Sequence, residues 1–253
     1  MTARTGADRV LLILRELAAH PDGATLQELA GAVESPKSSV HRALGALRRA
    51  ELATQPEHGR YALSAEFVRL AYAHQEARSE PRVVTPCLEA LAETLGEAAH
   101  YAELEGREVI YRAKVSPVGQ SVRMSSTIGG RNPAYCTGVG KALIAHGAAG
   151  DDPARLAARF GPLAPRTPHT LVDPGALHAD LRRTRARGYA LDDQESEIGI
   201  TCIAFPLFLA SPTVPSGAIS VAALAHRTPL PALEARAEEI RAVIREQLGA
   251  VTG

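Results

Sequence analysis

Residues 36–49, PKSSVHRALGALRR, determine how the N-terminal part of the chain folds. The apolar residues in this stretch recur at the spacing of one helix face, which predicts an amphipathic helix packed on a small core. Ser35 suits the N-cap of that helix, and Pro36 suits its first position, where a missing N–H costs nothing. The opposite face is polar and basic. The predicted core-facing residues are Val40, Ala43, Leu44 and Leu47.

Two further helix patterns precede this stretch, and a strand pair follows it. The first pattern runs from about Asp8 to His20, and the second opens at Thr25, which forms a capping-box pattern with Glu28. Residues 52–63, LATQPEHGRYAL, indicate two short strands around a Pro/Gly turn. Three helices followed by a hairpin are typical of a winged helix-turn-helix domain.

The segment from residue 35 to residue 60 has five basic residues against two acidic ones, a charge of +3. A helix face of short polar residues and arginine fits the major groove of DNA, where arginine reads guanine edges. The other interpretation is a solvated helix face, but the order of elements favours DNA binding. We expect Lys37, Ser38, Ser39, His41, Arg42 and Arg49 to contact DNA, with Arg60 in the hairpin meeting phosphate.

This N-terminal stretch resembles the winged helix-turn-helix of IclR-type transcriptional regulators. The family pattern there is approximately Pro-Lys-Ser-Thr, then His-Arg-Leu, then a glycine before the wing. The chain has Ser39 in place of the threonine and Glu51 in place of the glycine. The resemblance implies a regulator without catalysis that binds double-stranded operator DNA as a homodimer or tetramer.

Composition excludes several other classes of protein. Basic and acidic residues balance at 28 each, which argues against a polybasic membrane binder, and aromatic residues are only 4%, which argues against a single-strand stacking platform. No signal peptide or bilayer-length apolar run is visible, so we expect a cytoplasmic protein without membrane contact. Three widely spaced cysteines fit neither a disulfide framework nor a thiolate zinc site, so we expect no metal or cofactor.

Beyond the hairpin the pattern changes. Pro81 and Pro86 interrupt the helix pattern that follows Ser64, so we place a domain boundary there. We expect a DNA-binding domain at 1–66, a linker helix at 67–82 and a second domain at 83–253. Strand patterns lie at 99–104, 108–115, 189–192, 202–209 and 216–224, and helix patterns at 86–95, 138–146, 152–160, 175–187 and 231–248. This mixture predicts an α+β domain with helices on an antiparallel sheet.

Residues 133–145, PAYCTGVGKALIA, predict a turn into a helix. Thr137 can cap that helix, and Gly138 and Gly140 leave the amides of its first turn bare, which suits an anion such as a carboxylate. The alternative is a tight turn that needs small residues. The spacing of the glycines fits neither a Walker A loop nor a dinucleotide-binding fingerprint.

Residues 188–206, GYALDDQESEIGITCIAFP, place four carboxylates within six residues, at Asp192, Asp193, Glu195 and Glu197. A metal site is one interpretation, and a solvated acidic loop is the favoured one. Cys202 is more typical of a small core residue than of a nucleophile. The basic helix at 175–187 is interpreted as a solvated face rather than a second DNA contact.

Both segments resemble the effector-binding domain of the same family, a GAF-like sheet domain that binds a small metabolite. Leu209 departs from the pattern, which has Asp or Asn there, and Ala222 replaces a second serine. Because side chains alternate along a strand, Ala222 shares a face with Ser220 and would widen the pocket. We therefore expect an effector larger or more apolar than a two- or three-carbon keto acid. The resemblance implies a pocket of Gly138, Val139, Asp192, Cys202 and Ser220, with Ile200 as an apolar wall and Ala222 beside them.

The sequence thus predicts a ligand-responsive regulator of a catabolic or metabolic operon, with a small organic acid as effector. The alternatives are a thiol-based redox sensor or a cysteine-dependent enzyme on the same sheet fold, using Cys136 or Cys202.

Overall fold

The chain divides into two compact units, Met1–Arg78 and Ser79–Gly253. The computed structural model describes residues 5–55, 59–76, 79–117, 126–147 and 152–249. The division between the units falls within the linker helix expected at 67–82. The structure has two helices there: one ends at Glu76 in the first unit, and another begins at Ser79 in the second. None of the described helices is both long and apolar enough to span a bilayer.

The first unit opens with three helices, α1 (Gly6–Ala18), α2 (Leu26–Ala32) and α3 (Lys37–Arg49). The predicted capping box of α2 is confirmed: the Thr25 hydroxyl accepts the Glu28 amide at 3.2 Å, and the Glu28 carboxylate accepts the Thr25 amide at 2.7 Å. The predicted apolar stripe of α3 is also confirmed, since all four of its residues are buried. Together with α1 and α2 they form the core of the unit.

The start of α3 differs from the prediction. Pro36 rather than Ser35 is the N-cap, without a side-chain capping bond, and the amides of Ser39 and Val40 donate to the Pro36 carbonyl. The Ser35 hydroxyl instead donates to the Val33 carbonyl at 3.2 Å. Pro36 has the extended backbone of an N-cap residue, with ψ of 138°, so the helix begins one residue later than predicted.

The hairpin prediction is confirmed. Strands β2 (Ala53–Thr54) and β3 (Arg60–Leu63) pair antiparallel, and β1 (Ala24–Thr25), too short to predict, pairs with the other side of β3. Residues 56–58 at the turn lie outside the described residues. Helix α4 (Ala65–Glu76) follows, with the Ser64 hydroxyl accepting the Phe67 amide at 3.1 Å.

The second unit is a six-stranded sheet with helices. Its strands run in the order β6-β5-β4-β9-β8-β7, and each neighbouring pair is antiparallel, which confirms the α+β prediction. Its strands are β4 (Ala98–Glu105), β5 (Glu108–Val115), β6 (Arg131–Pro133), β7 (Ala190–Asp193), β8 (Ile200–Leu207) and β9 (Gly217–Leu224). Its helices are α5 (Ser79–Leu95), α6 (Gly138–Ala145), α7 (Pro153–Phe160), α8 (Pro174–Arg187), α9 (Leu230–Glu234) and α10 (Ala237–Leu248).

The two faces of the sheet carry separate cores. Ile203 and Phe205 of β8 pack with residues of α5 and α10, whereas Ala204 between them packs with residues of α6, α7 and α8. This is the period-two alternation of a strand buried on both faces. The face under α6 therefore receives Cys202 and Ala204 of β8, together with Ser220 and Ala222 of β9.

Three element predictions in this unit were incomplete. Helix α5 begins at Ser79 and continues through Pro86, instead of beginning there, because buried residues such as Leu88 and Leu91 anchor it on the sheet despite the lost hydrogen bond. The single helix predicted at 231–248 is divided into α9 and α10. The three-residue strand β6 was not predicted at all.

Candidate functional site

Helix α3 presents a polar, basic face to solvent. Among the residues predicted to contact DNA, Lys37, Ser38, His41, Arg42 and Arg49 are exposed, and Ser39 is half-buried. The contacts of these side chains with their own unit are weak: Lys37 Nζ donates to Gln27 at 3.3 Å, and an Arg42 guanidinium nitrogen donates to Ser39 at 3.4 Å. The cations on this face can therefore exchange such contacts for phosphate or base edges without disturbing the core.

Arg60 lies in a different setting from the other six. It is half-buried on β3, its Nε and Nη2 both donate to the Gly23 carbonyl, at 3.2 and 2.6 Å, and Glu28 lies 3.5 Å away. The guanidinium thus ties the hairpin to the start of α2. Its predicted phosphate contact remains a prediction, and it would have to coexist with this internal role.

A pocket lies over the sheet face that α6 covers. It encloses about 420 Å³, including its opening to solvent. The strand register brings the polar lining residues of the sheet together. Asp192 pairs with Cys202, which pairs with Ala222. In the neighbouring row of the sheet, His100 pairs with Ser220. All seven residues predicted to bind effector line this pocket: Gly138, Val139, Asp192, Ile200, Cys202, Ser220 and Ala222. Their part in binding a ligand remains a prediction.

The start of α6 is less bare than the sequence suggests. Thr137 is its N-cap, as predicted, and the Thr137 hydroxyl accepts the Gly140 amide at 3.1 Å. Gly140 is required by packing, because a Cβ there would lie 2.1 Å from the Ala134 carbonyl oxygen. Gly138 packs similarly, with a Cβ position 2.9 Å from Cys202 Sγ. The glycines therefore serve close packing. Of the first two helical amides, that of Gly138 donates to Asp192, and that of Val139 is left for a ligand.

Asp192 is buried beside these amides. Its Oδ1 accepts the Glu195 amide at 2.8 Å. Burial raises the pKa of Asp192 to about 6, although the charge of Lys141 and hydrogen bonds from the amides of Glu195, Ser196 and Gly138 oppose the rise. The carboxyl group consequently connects the β7 loop to the helix start, and near neutral pH it can hold a proton.

The interpretation of the acidic segment as a solvated loop was wrong for two of its four residues. Asp192 and Glu195 are buried, whereas Asp193 is exposed and Glu197 is half-buried. The fully buried Lys141 ammonium contacts the Glu195 carboxylate and lies 2.9 Å from Asp180 Oδ2. No local sequence pattern indicates this pairing, because its members lie on α6, α8 and the loop after β7.

Three carboxylates share the single Lys141 ammonium. Burial lowers the pKa of Lys141, but Glu195, Asp180 and Asp192 outweigh it, so the net change is upward. Burial raises the pKa of Glu195 to about 7, with Lys141 opposing the rise. For Asp180, burial is outweighed by Lys141 and the net change is downward. No group of metal-binding side chains occurs among the described residues.

Sequence reasoning missed the aromatic and histidine part of the pocket. His100 is buried, its Nε2 lies 2.9 Å from the Ser126 hydroxyl, and its ring meets Tyr111 edge-on at 5.7 Å. Burial, together with Lys114, lowers the pKa of His100 to about 3, so its ring is neutral. A period-two count along β4 could have placed His100 on a strand face, but not beside this pocket.

The three thiols are buried. Burial raises the pKa of Cys87 and of Cys136 to about 12 each, and raises that of Cys202 as well. Reactive cysteines have lowered pKa values and solvent access, so these environments do not favour the thiol-based alternatives.

The arginines of helix α8 are mostly exposed, as the interpretation of a solvated face expects, and two of them also make hydrogen bonds within the unit. Arg182 is exposed, but Arg185 Nε donates to the Ala145 carbonyl and Arg187 Nε to the Tyr189 carbonyl, both at 2.7 Å. Arg185 is nevertheless exposed, as is Arg183, and Arg187 is half-buried, so these bonds add to a largely solvent-facing surface.

Two family models match the chain. The IclR helix-turn-helix domain matches residues 6–57, and the bacterial transcriptional regulator IclR C-terminal domain matches residues 81–247. The Pca regulon regulatory protein of Pseudomonas putida is 32% identical over 208 residues, covering 82% of this chain and 70% of its own length. The transcriptional repressor IclR of Escherichia coli (strain K12) is 33% identical over 203 residues, covering 79% of this chain and 73% of its own.

Solved structures show the same fold. The Thermotoga maritima IclR structure superposes with a TM-score of 0.79 at 23% identity, covering 96% of this chain and 98% of that one. An IclR homolog from Microbacterium hydrocarbonoxydans, complexed with 4-hydroxybenzoate, gives a TM-score of 0.74 at 23% identity, covering 96% of this chain and all of that one.

Proposed function

The chain belongs to the IclR family of bacterial transcriptional regulators, and from this premise we propose that a small organic acid in the pocket controls operator binding by α3. The regulated genes form a catabolic or metabolic operon, and the mode is repression, as the name of the Escherichia coli relative states for that protein. The protein acts in the cytoplasm, without catalysis, as a homodimer or tetramer. One recognition helix reads only a few base pairs, so a dimer on a roughly palindromic operator is needed.

The observation that carries this proposal is the convergence of all seven expected residues on one pocket. An acid carboxylate would accept the Val139 amide at the start of α6, which is favourable at the positive end of a helix. Asp192 would accept a ligand hydroxyl, or in its protonated form donate to a ligand oxygen. Ser220, paired opposite His100 in the sheet, supplies a further hydroxyl.

The expected size of the effector follows from Ala222. It lines the pocket together with Ser220, and its methyl group leaves that corner wider and less polar than a serine would. The Microbacterium homolog, whose solved complex contains 4-hydroxybenzoate, supports an acid of this larger class. We expect a hydroxy acid, sugar acid or aromatic acid rather than glyoxylate or pyruvate.

Two measurements test the proposal together. An operator is first selected from a random duplex library, and its affinity is measured by fluorescence anisotropy. Carboxylic and sugar acids are then screened by thermal shift, because a ligand of the native state raises stability by RT ln(1 + [L]/Kd). Acids that raise Tm should change operator affinity. If such acids leave operator affinity unchanged, the regulatory proposal is wrong.

Ser220→Ala supplies the matched site variant. It removes one hydroxyl from the pocket and should weaken effector binding by about 0.5–1.5 kcal/mol while operator binding stays intact. Ser211→Ala, in the loop between β8 and β9, is the control and should change neither. A substitution at Gly138 is a poorer test, because its side chain would collide with Cys202.

The thiol-based alternatives have their own test. A Cys136→Ser/Cys202→Ser protein should retain operator binding and its response to effector, because neither buried thiol reacts in the proposed mechanism. Loss of regulation by oxidant in the wild type, abolished in this variant, would instead favour the redox sensor.

A further inference from the structure

The buried groups beside the start of α6 include more carboxylates than cations. Asp192, Glu195 and Asp180 act on one buried ammonium, that of Lys141. The ammonium contacts the Glu195 carboxylate and lies 2.9 Å from Asp180 Oδ2. Among the described residues, Glu195 Oε2 is buried without a hydrogen-bond partner. This group of side chains therefore lacks a donor, and a buried carboxylate obtains one by binding a proton.

Asp192 is the member of this group that lines the pocket. Its carboxyl group accepts the amides of Gly138, Glu195 and Ser196, the second at 2.8 Å. An ionised carboxylate has about four acceptor positions, so about one remains beside these amides. That remaining position can hold a proton or accept a donor from a ligand.

The proposed site for the effector carboxylate lies next to Asp192. The Val139 amide, which is left for the ligand, follows directly after the Gly138 amide that donates to Asp192. Two carboxylates on neighbouring amides of one helix start repel each other strongly where water is excluded. Lys141 cannot offset the added charge, since Glu195 and Asp180 already engage it. Paired carboxyl groups in such a position share one proton.

Several titratable groups around Asp192 carry no charge near neutral pH. Burial lowers the pKa of His100 to about 3 and raises the pKa of Cys136 to about 12. Burial also raises the pKa of Tyr111 and of Cys202. None of these four groups can therefore balance a second carboxylate.

The other charged groups near the pocket do not replace a proton either. Glu197 is part of the pocket wall and adds negative charge. Lys114 lies on β5, with β4, β9 and β8 between it and the strand of Asp192, and Glu197 acts on its pKa. Arg166 is exposed, and its Nε donates to the Ser196 carbonyl at 3.3 Å. A proton from solvent is the remaining source of positive charge at the start of α6.

We propose that the effector carboxylate binds together with one proton from solvent, which it shares with Asp192. The inference rests on the proposed function, in which the pocket takes an organic acid. Water or buffer gives up the proton, and two carboxylates become one carboxyl group that donates to one carboxylate. Asp192 is thus the residue through which pH sets the affinity for the effector.

The proposal fixes the direction of the pH dependence. Burial raises the pKa of Asp192 to about 6, so above that pH the free protein lacks the proton that the complex needs. Affinity for the acid should then fall about tenfold for each pH unit, the effect of one bound proton. Below about pH 6 the free protein already holds the proton, and the affinity should become nearly independent of pH.

Isothermal titration measures the proton directly. Binding is measured at pH 8 in HEPES and in Tris, because the two buffers absorb different heats when they release a proton. The probe is whichever of benzoate, 4-hydroxybenzoate, 4-hydroxybutyrate and gluconate raises Tm most. The wild type should take up close to one proton for each acid bound.

Asp192→Asn should bind the same acid without proton uptake and without the pH dependence, because an amide donates to the acid at every pH. Asp193→Asn is the matched control: Asp193 is the exposed neighbour on β7, and its variant should keep the uptake of the wild type. Glu195→Gln should also retain uptake, since Asp192 holds the proton. Should thermal unfolding show that Asp192→Asn is destabilised, Asp192→Ser replaces it.

The outcomes separate the two proposals. Acid binding without proton uptake in the wild type, or uptake that survives in the Asp192 variants, overturns this inference and leaves the effector class intact. Uptake that is lost in Glu195→Gln but kept in Asp192→Asn would place the proton on Glu195 and also overturn it. If none of the four acids binds, the organic-acid proposal fails and the proton coupling fails with it.

Discussion

The two units keep their functional groups in opposite environments. In the first, polar residues lie on the solvent face of α3, and the core behind them is apolar. In the second, the pocket wall includes Asp192, His100 and Ser220, all of them buried. Replacing a polar side chain on the solvent face of α3 should therefore change binding alone, whereas a substitution in the pocket wall changes binding and stability together.

The two units also differ in where their charged side chains lie. Among the described residues, the cations of α3 donate to neutral side chains, such as Lys37 to Gln27 at 3.3 Å and Arg48 to Gln55 at 3.1 Å. In the second unit, Lys141 is fully buried and compensates several carboxylates at once. Exposed charges of the first kind attract a charged partner at long range, while buried ones fix the geometry of a site.

The largest expected difference between the units is in the free energy of unfolding, on replacing one glycine within a helix of each unit. Gly140→Ala should destabilise the second unit by more than about 4 kcal/mol, because the new methyl would collide with the Ala134 backbone. Gly45→Ala on α3 should stabilise the first unit by about 0.5–1 kcal/mol, since its nearest neighbour is Arg49 Nη1 at 3.5 Å. Urea denaturation measures both. Equal effects would contradict the contrast between the units.

The next largest expected effect is on the stability of the second unit, when the buried Lys141 is replaced. Lys141→Met should lower the free energy of unfolding by about 3–5 kcal/mol at pH 8, because it leaves buried carboxylates uncompensated. The loss should shrink at pH 5, where Glu195 and Asp192, with pKa values of about 7 and 6, hold protons. Lys114→Met is the control and should cost little at either pH. A loss independent of pH would show that packing, rather than charge, sets the effect.

The same pKa values predict the pH dependence of the wild type. The native pKa of Glu195 is raised from 4.5 to about 7, so between these values the folded state binds more protons than the unfolded state. Stability from this group is therefore lost as pH rises through that window, and Glu195→Gln should flatten the profile.

A smaller effect, on operator affinity, is expected from a substitution on the solvent face of α3. Arg42→Ala should weaken operator binding by about 1–3 kcal/mol and relax the sequence preference, provided that Arg42 reads a base. Arg182→Ala, an exposed arginine of α8, should leave operator affinity unchanged. Thermal unfolding should be the same for both. Unchanged operator binding in the Arg42 variant would remove α3 as the reading helix.

Arg60 combines an expected DNA contact with hydrogen bonds inside its own unit. A phosphate contact predicts that Arg60→Ala lowers the salt dependence of DNA binding by about one unit for all sequences alike. Its bonds to the Gly23 carbonyl predict a loss of stability as well. A stability loss with an unchanged salt slope would assign Arg60 to the fold alone.

The smallest effect concerns the pocket corner at Ala222. Ala222→Ser should shift acid selection towards smaller, more polar acids by about 0.5–1.5 kcal/mol, the net value of one hydrogen bond. Affinities of both proteins for glyoxylate, pyruvate and larger acids measure the shift. A wild type that already prefers glyoxylate or pyruvate would refute the argument from Ala222.

Local pattern was enough to predict the first unit. The capping box of Thr25 and the apolar stripe of α3 depend on residues three or four apart, and both follow from the sequence. The exceptions were the Ser35 cap and the two-residue strand β1, whose formation depends on partners distant in the chain.

The second unit shows where local pattern fails. The resemblance to a family supplied the expected pocket residues, but composition alone suggested that Glu195 lies in water. Its burial depends on Lys141, 54 positions away, and on Asp180 of α8. His100 was missed for the same reason, because only the order of strands brings β4 beside β9 and so into the pocket.

The reactivity of the three buried thiols can be used to measure local opening of the second unit. Cys87, Cys136 and Cys202 all lie in the second unit, each shielded from solvent. A thiol reagent can modify them only when that part of the unit opens, so the modification rate measures the frequency of opening. Cys202 lines the pocket whereas Cys87 lies in the core on the other face of the sheet. A bound effector should therefore slow labelling at Cys202 more than at Cys87, and mass spectrometry of the labelled protein would follow ligand occupancy without an engineered cysteine.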